Sequence, residues 1–181
     1  MKPQIYNFII LNKYDKKVNG MNLYGFEIEV VFLVHGGEIL AYAWHYDPKK
    51  AFRHLKKIMT FHNLKGKTKT SIELENWLKK KIDDVVMRGI KFSMPNFEYR
   101  NKAVYENIIK IPRGKTATYA QIARMSNVKY TEMLKTLMRN PFQILIPCHR
   151  LLTNKGSLFG FYPLGKEVKR KLFEIEGAVL K

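Results

Sequence analysis

A thiol, an imidazole and a guanidinium stand in consecutive positions at Cys148, His149 and Arg150, directly after Gln143-Ile144-Leu145-Ile146-Pro147. A thiol attacks carbon only as its thiolate, and a neighbouring base can produce that form. Cys148 is the only cysteine of the 181 residues. The apolar run 144–146 reads as a short buried strand. Pro147 should end it, because proline has no N–H to give to a ladder. The sulfur would then be presented at a strand end. Two facts weigh the other way. A lone cysteine is more often a small buried hydrophobe than a nucleophile. Adjacent residues of an extended chain also face opposite ways, so His149 would have to act around a turn or through a water.

Composition bounds what chemistry surrounds this group. A hydrophobic share of 46% can fill a core, which argues against disorder. One cysteine forms no internal disulfide, which points to a reducing compartment, and we expect the cytoplasm. The five histidines, at 35, 45, 54, 62 and 149, lack the close pairing of metal ligands, so neither a metal nor any other cofactor is expected. No stretch has the apolar length of a membrane span, and the start of the chain shows no signal peptide. The formal charge of +18, from 33 basic and 15 acidic residues, sets up a field that attracts polyanions, of which nucleic acid is the commonest in a cell. Charge alone gives non-specific attraction, not chemistry.

The elements that must carry the thiol can be read in order. Residues 5–11 and 24–34 are β-branched and aromatic enough for strands. His35-Gly36-Gly37-Glu38 is a turn, and 39–45 returns as the second arm of a hairpin. Asp47-Pro48 starts a helix, with Asp47 as cap, that places Phe52, Leu55, Ile58 and Met59 on one face. Residues 65–69 read as a basic solvated loop, because Gly66-Lys67-Thr68 lacks the upstream glycine of a phosphate cradle. Thr70 and Glu73 form a capping box for a helix with Leu74, Trp77, Leu78, Ile82, Val85 and Val86 on its stripe, stopped by Gly89. Residues 92–98 have no helical period, and the domain boundary is placed there.

Beyond the boundary the pattern is mostly helical. Residues 101–111 form one helix, stopped by Pro112-Arg113-Gly114. A capping box at Thr118 and Gln121 starts a second over 119–125. A turn at 126–128 and a third helix over 131–139 make a helix-turn-helix, broken by Asn140-Pro141. A last helix opens at Gly165 and closes at Gly177. The expected fold class is an α/β N-terminal domain over 1–92, an antiparallel hairpin sheet with helices, plus a mainly helical C-terminal domain with a helix-turn-helix over 93–181. We expect a monomer.

These residues together resemble a family. Pro147-Cys148-His149-Arg150, preceded by Asn140-Pro141 and Ile144-Leu145-Ile146, is similar to the active-site signature of O6-alkylguanine-DNA alkyltransferases. Pro112-Arg113-Gly114-Lys115 through Thr118-Tyr119-Ala120-Gln121-Ile122-Ala123 resembles the family's first DNA-binding helix. Gly160-Phe161-Tyr162 resembles its active-site loop, and Glu174-Ile175-Glu176-Gly177 its closing helix end. The likeness covers roughly residues 100–178; residues 1–92 would be the variable N-terminal domain.

The resemblance implies a function and assigns roles. Such proteins move an alkyl group from guanine O6 in double-stranded DNA to their own cysteine, once per molecule, after flipping the nucleotide out of the stack. By the likeness Cys148 is the nucleophile, His149 takes its proton through a water, Glu176 orients the imidazole and Tyr119 gives a proton to guanine N3. Asn140 matches a hinge residue beside the cysteine, Lys169 a lysine near the active-site loop, and Arg150, Gly160 and Tyr162 join them around the substrate. DNA contact falls to Thr118, Tyr119, Gln121, Arg124, Lys129 and Tyr130. One departure is clear. The family fills the gap in the stack with an arginine early in the second helix of the pair, where this chain has Tyr130-Thr131-Glu132-Met133. Lys129 or Arg124 could substitute, or Tyr130 could wedge instead. Two rival readings are a non-catalytic binder of damaged DNA, which would lack the cysteine, and a helix-turn-helix regulator with an inert buried Cys148.

Overall fold

The structure, a computed structural model, describes residues 20–179. The strand expected over 5–11 lies outside the described residues. Strand β1 (Met21–Leu23) turns at Tyr24 and Gly25, both at positive φ, into β2 (Phe26–His35). The expected strand over 24–34 therefore begins two residues late, because Tyr24 belongs to the turn. After Gly36-Gly37, again both at positive φ, β3 (Glu38–His45) runs back antiparallel. Glycine supplies that conformation without steric cost, as a two-residue hairpin turn needs. Residues 67–69, expected as loop, instead form β4 (Lys67–Lys69), which pairs with β2 on the same edge as β1. A neighbouring strand overrides the weak local preference of Lys-Thr-Lys.

Helix α1 (Pro48–His62) starts as expected: the Asp47 carboxylate accepts from Lys50 N and Pro48 is in the first turn. Its buried face is Ala51, His54, Leu55, Ile58 and His62, and it packs on the sheet. Phe52, expected on that face, is exposed. Helix α2 (Ile72–Val86) is capped by Ser71 through Leu74 N, one residue beyond the expected Thr70. It buries Leu78, Ile82, Val85 and Val86, while Leu74 and Trp77 are partly covered.

Helix α3 (Lys102–Ile109) leads to β5 (Ala117–Thr118), and β5 to α4 (Tyr119–Met125). The capping box of Thr118 and Gln121 is present in full. Helix α5 (Tyr130–Leu137) packs on α4 and completes the helix-turn-helix. A 3-10 turn (Cys148–Arg150) runs into β6 (Leu151–Leu152), which pairs parallel with β5, and α6 (Lys166–Ile175) closes the described chain.

The strand expected at 144–146 is absent. That segment holds only an isolated bridge between Gln143 and Ile146, and Ile144 sits at φ +79 while fully buried. A β-branched residue at positive φ is a strained turn, not a strand. The apolar run is buried as expected; burial and extension are separate properties, and the sequence pattern reports only the first.

The two halves share one contiguous apolar core. Tyr42 N on the outer edge of β3 donates to Pro141 O, and Trp44 Nε1 donates to Gln143 Oε1 at 2.6 Å. The edge of the sheet is thus covered by the segment that leads to Cys148, which removes an open pairing edge. No helix among the described residues is long and apolar enough to cross a membrane. Replacing Asp47 with alanine should destabilise the protein through the lost cap on α1, read as a lower urea midpoint with unchanged slope; an unchanged midpoint would mean that packing alone sets the start of the helix.

Candidate active site

The turn that replaces the expected strand is what places the sulfur. Asn140 Oδ1 accepts from Phe142 N at 2.9 Å, and its amide nitrogen reaches Ile146 O at 3.4 Å and Cys148 Sγ at 3.6 Å. One side chain therefore ties both ends of 140–148 and touches the thiol. Cys148 N bonds Ile146 O, and Arg150 N bonds Pro147 O. Cys148 and His149 are therefore consecutive residues of a 3-10 turn, not of an extended chain. Cys148 is 7% exposed. Burial pushes its thiol above the ordinary value, while Lys169 and the Asn140 amide pull the other way.

His149 is fully buried. Its Nε2 lies 2.9 Å from Glu176 Oε1. An ionised carboxylate only accepts, so the ring proton sits on Nε2 and Nδ1 keeps its lone pair. Nδ1 makes no hydrogen bond within the protein. Burial lowers the histidine pKa and Glu176 only partly offsets this, so the ring is neutral at pH 7. Burial would raise the Glu176 carboxyl, but bonds from His149 and Arg150 win and hold it at about 2.

Arg150 is spent on this network. Its Nε and Nη2 donate to Glu176, Nη1 to Ile111 O at 2.6 Å and Nη2 also to Val85 O at 3.2 Å. It is buried, and its nitrogens are bonded to Glu176 and to backbone carbonyls behind the imidazole. Gly114 closes the other side. Its N approaches Glu176 Oε2 at 3.4 Å, its φ is +71, and a Cβ there would come within 3.0 Å of Glu176 O. Only glycine fits such an approach at positive φ.

Tyr119 and Lys169 form a second buried pair. Lys169 Nζ donates to Tyr119 Oη at 2.7 Å, to Leu151 O at 2.6 Å and to Phe159 O at 3.1 Å. An ammonium has three protons, and all three are used. The tyrosine oxygen therefore accepts from lysine, while its own proton has only a long 3.5 Å contact with Phe159 O. Burial keeps Tyr119 protonated well beyond neutral pH and brings Lys169 down to about 8.

The remaining expected residues fall on the rim. Gly160 and Tyr162 are exposed, and a Cβ on Gly160 would meet nothing within 4 Å. Arg124, Lys129, Gln121 and Tyr130 are exposed on the α4–α5 face. The hydroxyl of Thr118 and the carbonyl of Gln121 are committed to the capping box. Glu132 is bonded to Arg100 at 3.0 Å and Asn101 at 3.1 Å. Sequence reasoning missed the supports. Gln143 bridges Trp44 to Tyr162 O, Tyr46 bonds Leu164 O, and Arg113 binds Val86 O and Ile175 O. Each is a contact distant in sequence with no local pattern to signal it.

Known proteins resemble this chain. Residues 100–178 match the family described as 6-O-methylguanine DNA methyltransferase, DNA binding domain. A methylated-DNA–protein-cysteine methyltransferase of Metallosphaera sedula is 34% identical over 109 residues, which are 60% of this chain and 67% of that protein. The chain belongs to this methyltransferase family. A second member, from Methanothermobacter thermautotrophicus, is 37% identical over 84 residues, and there the match spans only 47% of the relative. The crystal structure of O6-methylguanine-DNA methyltransferase from Pyrococcus kodakaraensis shares the fold over 92% of this chain and 98% of that one, with a TM-score of 0.63 at 18% identity. The likeness to that structure extends across the α/β half, where the family match is silent.

Glu176→Gln should be among the most damaging changes outside the apolar core. It strips Arg150 of its buried counter-charge, a loss of about 3–5 kcal/mol at pH 7. A folded pKa depressed to about 2 means that Glu176 contributes stability above its unfolded value, lost as pH falls toward 2. The gap in urea midpoint between wild type and Glu176→Gln should therefore narrow from pH 5 downward; a gap independent of pH would assign the loss to packing.

Proposed function

We propose that this chain repairs DNA by moving an alkyl group from guanine O6 to Cys148, once per molecule. The observation that carries the reading is His149, bonded to Glu176 with its Nδ1 free of any bond within the protein and adjacent in the chain to Cys148, beside the separate pair Lys169 and Tyr119. A nucleophile backed by a base and an orienter makes a thiolate; a distinct buried acid can protonate the departing base. In the step, the Cys148 proton passes through a water to His149 Nδ1. The sulfur then attacks the alkyl carbon, the S–C bond forms and the C–O6 bond breaks. The guanine leaves neutral, taking the Tyr119 proton at N3 as its electron pair moves onto the ring. Lys169, hydrogen-bonded to the phenol oxygen, stabilises the negative charge left there. The thioether has no group poised to cleave it, which fits a single turnover.

The substrate is O6-alkylguanine within duplex DNA. A guanine in the stack cannot bring O6 to a nearly buried sulfur, so the nucleotide must leave the helix at a cost of a few kcal/mol. The α4–α5 face, with Arg124, Lys129 and Tyr130 exposed, is the DNA-contacting surface in this reading. The protein acts as a monomer without a cofactor, in the cytoplasm. The domain division proposed is 1–92 and 93–181.

Incubation with a duplex carrying a radiolabelled alkyl group on one guanine O6 should leave label covalently on the protein, at most one per chain, and none on Cys148→Ala. Binding to the lesion without transfer, or indifference to the lesion with preference for one operator, would instead favour the rival binder or regulator. The single-turnover rate should be bell-shaped in pH. Its acid limb should lie below the ordinary imidazole range, because burial lowers His149. The rate should fall again above about 8, where Lys169 loses the charge that favours the thiolate. A rate that climbs steadily through pH 9 would show a thiol ionising unaided.

A further inference from the structure

Helix α1 carries Lys49, Lys50, Arg53, Lys56 and Lys57 and not one acid over its 15 residues. All five are exposed. Like charges three or four residues apart weaken a helix, and here Arg53 has such a neighbour on each side. Other helices carry acids beside some of their cations: Asp84 holds Lys81 and Arg88 on and beyond α2, and Glu167 holds Arg170 on α6. On α1 no cation forms an ion pair among the described residues. The capping Asp47 acts on Lys50 and Arg53, and Lys56 lies over the Phe52 ring at 4.8 Å.

The cations also line two neighbouring hollows. One hollow is bordered by Lys50, Arg53, Lys57, His45, His54 and Tyr162, and the next by Lys56, Lys57, Phe61, Arg100 and Arg139; Lys57 borders both. The first ends at the exposed active-site loop, where the Tyr162 ring meets His54 edge-on at 5.0 Å. The second ends at the close of α5, through Arg139. The opposite side of α1 is fixed. His54 and His62 are buried with Nε2 against Met138 O and Arg139 O at 3.2 and 2.8 Å, and burial lowers each to about 4, so both are neutral. The track is therefore a rigid surface, held to the helix-turn-helix by two histidines. From Lys50 to Phe61 it runs about 17 Å at 1.5 Å per residue, the length of about five base steps of one DNA strand.

We propose that this face of α1 is a second DNA-binding surface, which holds the sugar-phosphate backbone beside the site and outside the helix-turn-helix. Phosphates supply the missing counter-charge, and Phe61 and Tyr162 offer apolar contact to sugars. The inference rests on the reading of the chain as a DNA-acting protein, and it adds the α/β half to the surface that grips DNA. Each phosphate neutralised releases counterions, so the slope of log affinity against log salt counts such contacts at about 0.9 each.

The test compares full-length wild type with Lys50→Gln/Arg53→Gln/Lys57→Gln, and with Lys79→Gln/Lys80→Gln/Lys91→Gln as a variant of equal charge away from the track. Affinity for an undamaged 20-base-pair duplex is measured across a salt series, and alkyl transfer is measured from free O6-alkylguanine base, which has no phosphates. The α1 variant should lose about 2–3 units of salt slope, with free-base transfer unchanged, while the α2-side variant keeps its slope. An unchanged slope in the α1 variant, or an equal loss in both variants, overturns the proposal. So does loss of poly-glutamate binding with duplex binding intact, which would mark the face as a dock for an acidic protein. If wild type transfers from neither the free base nor an alkylated duplex, the enzymatic reading falls, and the salt slopes still decide the track.

Discussion

One buried carboxylate holds the site together. Glu176 ends α6, and its two oxygens take His149 on one side and Arg150 on the other. Through Arg150 it reaches Ile111 O after α3 and Val85 O near the end of α2, two carbonyls that a helix end leaves without partners. Arg113 repeats the device on Val86 O and Ile175 O. Cations at helix C-termini also meet the negative end of the dipole. The same carboxylate thus sets the imidazole tautomer and fastens helix ends from both halves. Burying such a pair carries a desolvation cost that attraction only roughly returns. Its retention here is intelligible if the geometry of His149, not stability alone, is what it secures.

The α/β half has a role at the site although none of the proposed reacting groups lies in it. The edge of β3 receives 141–143 through Tyr42 and Trp44, and Gln143 passes the connection on to Tyr162 O in the active-site loop. His54 of α1 touches the same tyrosine. The turn that carries Cys148 is strained at Ile144, and such a turn persists only where its surroundings over-determine it. The sheet edge on one side and Asn140 on the other are those surroundings.

What could be read from the chain depended on the range of the interaction. The hairpin at Gly36-Gly37, the Asp47 cap and the Thr118–Gln121 box rest on neighbours a few residues apart, and each appears as expected. The cap at Ser71 missed by one because Thr70 and Ser71 are chemically alike. The run 144–146 was recognisable as buried but not as a turn, since positive φ at an isoleucine has no local signature. The three residues around the sulfur were legible by type, whereas Arg150's position behind His149 required Glu176, twenty-six residues on, to be in place first. Lys169 drew notice only through resemblance; by composition it is one of many lysines, and its burial comes from the packing of α6 on the site.

Glu132 shows how one position can change what it serves. In the family pattern an arginine there enters the DNA stack. Here an acid near the start of α5 sits well with the positive end of the helix dipole and holds Arg100 and Asn101 at the head of α3. Asn101 also bonds Thr136, so the first and last turns of α5 are both fastened to α3. These bonds make the helix more rigid. An acid bound to arginine adds little repulsion toward phosphates, because the pair is close to neutral at a distance beyond a few ångströms. Glu132 supplies no such cation, and the described helix richest in exposed cations, with no acid among its own residues, is α1.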